Sequence, residues 1–530
     1  MNDTDVLIIG GGMAAAWAAI AAAQAGARVT VVDKGAMGSS GATASGGPGH
    51  WWVPPDPALR RDAIARQTAK AAGLGDPEWM ERILELTWRH LPTIAPWYPF
   101  GSDGAGGRYV QGVRGPEYMR ALRGFATAHG VAIRDHHPAL ELIADRDAKD
   151  GGRVIGARGV ALRDEAPWEI RAGAVVLATG GAAFRSGLIG SHACTGDGHL
   201  MAVEAGARLS GMEFSISYSL SPAWASTRTL PYTGARFYDA AGRELDIAPP
   251  RTGHRHHQAL GAAMLAGPVF ADLIDAPREL PAVLRRIQPL TVAAFERRGI
   301  DLFRDRFPVL LFGEGTIRGT GGIDVRDDRC GTGVPGLYAA GDAATRELVA
   351  GASSGGGAVN SAWALSSGRI AGAAAAAEAA KLGIDTGPAV LLGQAGLRPG
   401  GTVQGIDTAA LIARAGHAIH DYDKAFWRSE ANLAASAETL DADWRAIAGH
   451  GHATGRAAAE LRSAAAVVAT ARWVIAAARE RRESRGIHWR DDAQATDPGQ
   501  AHRLIADGLE TVRVQPLTPA PTPTTAKVAA

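Results

Sequence analysis

Val6-Leu7-Ile8-Ile9-Gly10-Gly11-Gly12-Met13-Ala14-Ala15 stands at the head of the chain, and Arg28-Val29-Thr30-Val31-Val32-Asp33 follows it after an alanine-rich run. The apolar stretch at 5–9 ends in glycines. Residues 13–25 have the length and composition of a buried helix, and 28–32 read as a second strand. Together they predict a βαβ unit. Gly10 permits the tight turn out of the strand, Gly12 lets a diphosphate touch the backbone, and small Ala15 stands where helix and strand pack closely. The helix amino end offers N–H groups and a positive dipole end to the phosphates. Asp33 closes the second strand, where a carboxylate accepts both ribose hydroxyls and repels a 2′-phosphate. A bare glycine fingerprint also fits an ordinary βα turn; with strand, helix and acid in sequence it reads as a dinucleotide site.

The next segment selects the dinucleotide. Gly35 to Gly49 (GAMGSSGATASGGPG) is a long small-residue loop where NAD-binding domains run into a third strand. Such a loop suits a ligand that continues past the diphosphate into a ribityl chain and a flat ring, which is FAD. Thr195-Gly196-Asp197-Gly198 precedes a helical stretch at 199–206. Gly336-Leu337-Tyr338-Ala339-Ala340-Gly341-Asp342 returns far along the chain, with Asp342 placed to face ribityl hydroxyls from a strand end.

Composition narrows the class. With 530 residues the chain is too long for one core, and 46% hydrophobic content with mean hydropathy near zero fits a soluble protein of two or three domains. A formal net charge of +1 provides no basic field, so neither nucleic acid nor anionic lipid is expected as partner. Cys194 and Cys330 stand singly, which excludes an Fe–S cluster or Cys₄ zinc site within this chain and argues against disulfides. Two acidic residues, Asp3 and Asp5, precede the first strand, so a secretory signal is not expected. The alanine-rich runs at 14–25 and 371–380 are bounded by polar residues and glycine and predict no membrane span. The expected location is cytoplasmic.

Helical spacing is read at 57–72, 77–91 and 117–129, a strand at 131–133, a hairpin at 139–144 with 153–162, and a buried strand at 174–178. Between about 212 and 320 the pattern changes to prolines, aromatics and short alternating runs, with a hairpin at 235–245. A helix follows at 359–380 and a helical region at 407–484. The fold class is α/β: a Rossmann-like FAD-binding domain split in sequence, with an inserted α+β capping domain and a C-terminal helical domain. The boundaries are 1–213 and 326–400 for the FAD-binding domain, 214–325 for the capping domain and 401–500 for the helical domain. The Pro/Thr-rich 515–530 reads as a disordered tail.

TGDGHLMAVEAGARLSGMEF (195–214), GPVFADL (267–273), GGIDV (321–325), GLYAAGD (336–342), GGGAVNSAWALSSGRIAG (355–372) and RRESRGIHWRDD (481–492) appear in that order. With the opening glycine unit, this set resembles the flavoprotein family of succinate dehydrogenase, fumarate reductase, L-aspartate oxidase and the adenylylsulfate reductase α subunit, over about residues 1–500. The resemblance implies that Gly10, Gly12, Ala15, Asp33, Lys34, Ser39, Ser40, Gly41, Gly46, Asp197, Asp342, Asn360 and Ser361 line the FAD. It also implies that the FAD is non-covalent, because Ser40 stands near the position of the histidine that bonds covalently to flavin in the family.

The substrate-binding residues of that family are missing. Its dicarboxylate-using members carry Gln-Phe-His-Pro-Thr where this chain has Ser215-Ile216-Ser217-Tyr218-Ser219. A Thr-Glu pair is replaced near Leu230-Pro231, His-Tyr by the run Ile317-Arg318-Gly319-Thr320, and the stretch from Gly351 to Asn360 has no arginine. A dicarboxylate would therefore lack charge partners, at a cost on the order of several kcal/mol. Succinate, fumarate and aspartate are not expected as substrates. Arg318 with Glu314, Arg346 and His192 are the candidate catalytic residues at the reactive edge of the flavin; the competing reading of each is a solvated or salt-bridged loop residue. Trp51, Trp52, Trp97 and Tyr98 read either as an aromatic wall or as core. His254, His256 and His257 are read as a solvated loop rather than a metal site, and no metal is expected. The charged run Arg481 to Arg485 reads as a structural latch near the active site.

The reading is an enzyme that exchanges hydride between flavin N5 and a small anionic organic substrate. Its second redox partner is oxygen, a quinone or a separate ferredoxin-like iron–sulfur subunit, the last being preferred from the resemblance of GASSGGG to the adenylylsulfate reductase α subunit. The competing function is a non-catalytic electron-relay flavoprotein.

Overall fold

The computed structural model describes residues 3–102, 107–147, 151–224, 230–250, 253–398 and 405–517. Strand β1 (Thr4–Ile9), helix α1 (Met13–Gln24) and strand β2 (Val29–Asp33) form the opening unit, with β1 and β2 parallel and Val6 opposite Val29. Every residue of α1 from Met13 to Ala22 is buried. One side faces the sheet and another faces the helix Gly356–Leu382. The two helices touch backbone to backbone: a Cβ on Gly372 would strike the Ala18 carbonyl. Small residues along both helices permit that approach.

β1 and β2 lie in an eight-stranded sheet. Its order is Val390–Leu391, Ala139–Ala144, Val154–Val160, Pro167–Leu177, β1, β2, Ala132–Asp135, with Leu337–Ala339 paired parallel to the end of Pro167–Leu177. The strand Pro167–Leu177 serves two neighbours. Residues 167–171 pair antiparallel with 156–160, and residues 172–177 pair parallel with β1. Its first half is half-exposed and charged, so only the buried 174–178 had a legible strand pattern. The parallel strands end together beneath the amino end of α1, the crevice where open α/β sheets hold ligands.

An insertion forms a five-stranded antiparallel sheet in the order Tyr218–Pro222, Phe307–Gly313, Val269–Asp272, Arg236–Tyr238, Glu244–Leu245, around its own core that includes Phe237, Leu260, Phe295 and Phe307. The chain enters and leaves this insertion through Leu209–Ser210 and Gly322–Ile323, which pair with each other. A C-terminal hairpin, Leu504–Asp507 with Arg513–Pro516, adds to that crossing, with Ile505 opposite Ser210. Gln515 and Pro516 are therefore strand residues and not the start of a disordered tail; cross-strand partners at Leu504 and Ile505 extend the pairing into the Pro/Thr-rich composition. The remainder of that tail reading, 518–530, lies outside the described residues.

Helices Thr408–His420, Glu430–His450 and Gly455–Glu480 pack together at the C-terminal side. Gly455–Glu480 is long and apolar enough to cross a membrane by length and composition, yet 94% of its most apolar window is buried inside the protein, as for a core helix. His254, His256 and His257 are not in a solvated loop. They open the helix His254–Ala266, where His254 stacks on Trp489 at 4.6 Å and His256 Nδ1 meets the Ala248 carbonyl at 2.6 Å. Among the described residues no group of three or more His, Cys, Asp or Glu is arranged to hold a metal ion.

Burial pushes His50, His199, His254, His257 and His420 down to about 4. Each is neutral in the fold near pH 5 but protonated near pH 5 once unfolded, since the free imidazole titrates at about 6.5. Stability from these groups is complete above pH 6.5 and is lost as pH falls toward 4. Each contributes on the order of 1 kcal/mol per pH unit in that window. The urea midpoint should therefore fall markedly from pH 7 to pH 5; equal midpoints at the two pH values would contradict this account.

Candidate functional site

A cleft of about 560 Å³ opens where β1 meets α1. The turn is built from glycine for separable reasons. Gly10 has φ +122, and a Cβ there would fall against the Ala178 carbonyl oxygen. Gly12 caps α1 in ordinary extended backbone (φ −78, ψ −173), and a Cβ there would meet nothing within 4 Å. Gly12 therefore points into open space on the cleft. No side chain caps α1 and no acid stands in its first turn, which leaves the helix amino end available to an anion.

Asp33 lies beneath the turn: a Cβ on Gly11 would collide with its carboxylate. Ser40 donates its hydroxyl to Asp33 Oδ2 at 2.5 Å and accepts from the Ala36 amide at 2.9 Å, which closes the Gly35–Gly49 loop over the strand end. Burial pushes the Asp33 carboxyl up. Lys34 Nζ joins Asp197 (2.6 Å), Thr195 (2.7 Å) and Ser463 (3.2 Å), tying the β2 end to the helix Asp197–Glu204 and to the C-terminal helices.

Across the cleft, Asn360 and Ser361 sit on the first turns of Gly356–Leu382, another helix without a side-chain cap. Asn360 is buried, and neither its Oδ1 nor its Nδ2 has a partner. An orphaned amide, an uncapped helix end and the open space over Gly12 fit a ligand with a polar ring at one end and a diphosphate further along. Every residue assigned to the cofactor from the sequence lines this cleft except Ala15. Ala15 is fully buried between helix and sheet, so its role is packing rather than lining. The sequence reading missed His136 and Pro138, which line the cleft just after the strand Ala132–Asp135, and Cys194 and Gly357. The signal for the first two was the expected strand at 131–133, whose observed end, Asp135, lies directly before them beside Asp33.

The four candidate catalytic residues separate into two layers. Arg318 and His192 line the cleft. Arg318 Nη2 stands 3.9 Å from the point where a Gly357 Cβ would be, beside the amino end of Gly356–Leu382. Glu314 lies behind Arg318, almost fully buried, with its Oε2 3.5 Å from Arg318 Nε and its Oε1 accepting the Ser219 hydroxyl at 2.5 Å. Arg346 does not face the cleft. Its side chain is fully buried, paired with Asp342 at 2.5 Å and donating to the carbonyls of Thr316, Ile317 and Gly319. Its position beside the Asp342 motif in sequence suggested exposure to the ligand; its Nη2 goes to backbone carbonyls and its Nη1 to Asp342 instead.

None of the four aromatics forms a wall of this cleft. Trp52 stacks on Trp88 at 4.2 Å, Trp97 on Phe125 at 4.2 Å, and the Tyr98 hydroxyl accepts from the Arg114 amide. Trp51 packs on the core edge. The run Arg481 to Arg485 enters a buried ionic network with Glu213 at the crossing between the sheet and the insertion.

Comparison with known proteins agrees with this architecture. The chain matches the FAD binding domain family over residues 5–97 and 84–359 and the fumarate reductase flavoprotein C-terminal family over 422–522. It is 30% identical to an L-aspartate oxidase of Caulobacter vibrioides, over 95% of this chain and 96% of that protein. Among solved structures, a chain of a quinol-fumarate reductase superposes with a TM-score of 0.81 at 19% identity, covering 98% of this chain and 100% of the other. Adenylylsulfate reductase from Archaeoglobus fulgidus gives 0.70 at 18% identity, over 97% and 95%. These two likenesses are of fold.

Proposed function

Because the chain belongs to the flavoprotein family of succinate dehydrogenase, fumarate reductase and L-aspartate oxidase, and is an FAD-dependent oxidoreductase, we propose that it acts on a small organic monoanion, not on succinate, fumarate or aspartate, and that Arg318 binds that anion. One observation carries the reading. Arg318 enters the cleft beside the uncapped amino end of Gly356–Leu382, so two sources of positive potential converge on one point. A second carboxylate would find no such partner in the segments where the family's dicarboxylate-using members carry theirs. Ser217, Tyr218 and Ser219 bring no cation, and the stretch from Gly351 to Asn360 has none.

Bound FAD supplies hydride exchange at N5. The chain's own residues orient and desolvate the substrate. Arg318 anchors its carboxylate. Glu314 and Ser219 hold Arg318 in place, and buried Ile317 contributes apolar wall beside it. His192, on the cleft wall, is the side chain to which we assign proton exchange with the substrate. Ser40 carries no imidazole and its hydroxyl is held by Asp33, which supports non-covalent FAD; acid precipitation should release all the flavin into the supernatant.

The test is anaerobic. The flavin is reduced or oxidised, monocarboxylates, dicarboxylates and amino acids are offered singly, and the absorbance near 450 nm reports electron transfer. A monocarboxylate should change the flavin spectrum, and Arg318→Ala should raise its KM roughly thirtyfold or more, the worth of a charge-assisted bond. Faster turnover of succinate, fumarate or L-aspartate than of any monoanion would overturn the reading. The absence of family anchors also favours a second reading, an electron-relay subunit for a separate ferredoxin-like iron–sulfur protein. In that case no small molecule alters the flavin while a reduced or oxidised ferredoxin does.

A further inference from the structure

We infer that Arg346 is a positioning residue that holds the Arg318 loop against the ribityl end of the cofactor site, so that the affinity of the cleft for an anion depends on a side chain that never touches the anion. The inference rests on the reading of Arg318 as anion ligand and goes beyond it.

The loop from Glu314 to Thr320 is fixed on two sides by backbone. The Thr316 amide donates to the Ala182 carbonyl at 3.0 Å and the Thr316 hydroxyl accepts from the Ala182 amide at 2.7 Å. The Glu314 amide donates to Ser217 at 2.8 Å and the Thr320 amide to Phe214 at 2.9 Å. These bonds use amides and leave the carbonyls of Thr316, Ile317 and Gly319 pointing inward together. All three accept from Arg346 Nη2, while Nη1 pairs with Asp342. The Arg346 amide donates to the Thr320 carbonyl at 2.8 Å, so its main chain is tied to the same loop as its side chain.

Arg318 sits in the middle of the clasped segment, between the Ile317 and Gly319 carbonyls that Arg346 reads. Arg346 therefore holds the peptide that precedes Arg318 and the carbonyl of the residue that follows it, and the Arg318 side chain leaves toward the cleft with Glu314 behind it. A planar fork, with donors on separate nitrogens, spans a carboxylate on one side and several carbonyls on the other; the compact ammonium of lysine has three donors on one nitrogen and reaches fewer of them. Removing the fork leaves three buried carbonyls and Asp342 without their shared donor, and the loop relaxes toward whatever satisfies them. The orientation of Arg318 is what that relaxation changes.

The test uses full-length protein loaded with FAD, and acetate as an inert monoanion probe, read by its perturbation of the flavin absorbance. Arg346→Met and Arg346→Lys are each made alone and in an Arg318→Ala background. Arg346→Met should weaken acetate roughly tenfold, and the same change should have an effect under about twofold once Arg318 is gone, because residues acting through one another are non-additive. Arg346→Lys should lie between wild type and Met, and it carries the test alone if the Met variant does not retain FAD. Acetate affinity within twofold of wild type in both variants, or effects that add with Arg318→Ala, would overturn the positioning role. If Arg318→Ala itself leaves acetate binding unchanged, it is the anion-binding reading of Arg318 that fails.

Discussion

Gly12→Leu is expected to give a folded, colourless protein. Gly12 has extended backbone that any residue adopts, and the space where its Cβ would stand holds no protein atom within 4 Å. The backbone there takes an L-residue without strain, and its Cβ has room. Its side chain projects over the amino end of α1, into the space a diphosphate needs to reach the helix N–H groups. FAD affinity should fall by about two orders of magnitude or more, since the phosphates lose both contact and dipole. The absorbance ratio at 450 and 280 nm after purification measures this directly, with flavin-fluorescence titration of the apoprotein for the constant and circular dichroism for the fold. Gly10→Ala is the control with the opposite cause. Its Cβ would meet the Ala178 carbonyl, at a φ of +122 that L-residues rarely adopt, so β1, α1 and the neighbouring strand must shift. That variant should lose solubility or thermal stability along with flavin. A stoichiometrically yellow Gly12→Leu protein would mean that the diphosphate lies elsewhere.

The contrast between those glycines also explains what could be read from the sequence. β1, α1 and β2 are local: each shows its own hydrophobic pattern, and the ligand-facing residues occur at fixed offsets from the turn. Residues assigned to the cofactor that lie far apart in sequence, such as Asp197, Asp342 and Asn360, could be singled out because short motifs carry them, and one cleft gathers them. Features made by distant partners were not. Residues 167–171 are strand because 156–160 lie beside them, and Gln515 and Pro516 are strand because Leu504 and Ile505 do. Nothing in the Asp342–Arg346 spacing says that three carbonyls from 316–319 converge on the guanidinium. The three histidines at 254–257 looked polar enough for a loop. Their helix is settled by burial against Phe237, Phe426 and Trp489, contacts contributed by distant segments. Charge was the least legible property: arginine reads as surface until its partners are known.

Arg481→Met should be the most destabilising single change in the C-terminal region. Arg481 is fully buried, donating to Glu213 at 2.7 Å, to Glu483 at 3.0 Å, and to the carbonyls of Gln500 and His502 at 2.8 Å, with its guanidinium over the Phe214 ring at 5.1 Å. It thus joins the entry to the inserted sheet, the end of Gly455–Glu480 and the segment leading to the final hairpin. Met fills much of the volume but leaves Glu213 buried without its cation, which typically costs about 3–5 kcal/mol. Burial already pushes the Glu213 carboxyl up to about 7, with Arg481 opposing the rise. Without Arg481 the carboxyl rises further, and a group raised in the fold contributes stability at low pH that is lost as pH climbs through its folded value. The loss on Arg481→Met should therefore be larger at pH 8 than at pH 6, where a neutral Glu213 needs no counter-ion. Glu483 keeps Arg485 at 2.6 Å in either protein, so the pH-sensitive part belongs to Glu213. Urea midpoints of wild type and variant at the two pH values, with FAD saturating, measure it. A double variant Arg481→Met/Glu213→Leu should recover part of the loss and flatten the pH difference. If the double variant keeps the full pH difference, the network does not owe its stability to the Glu213–Arg481 pair.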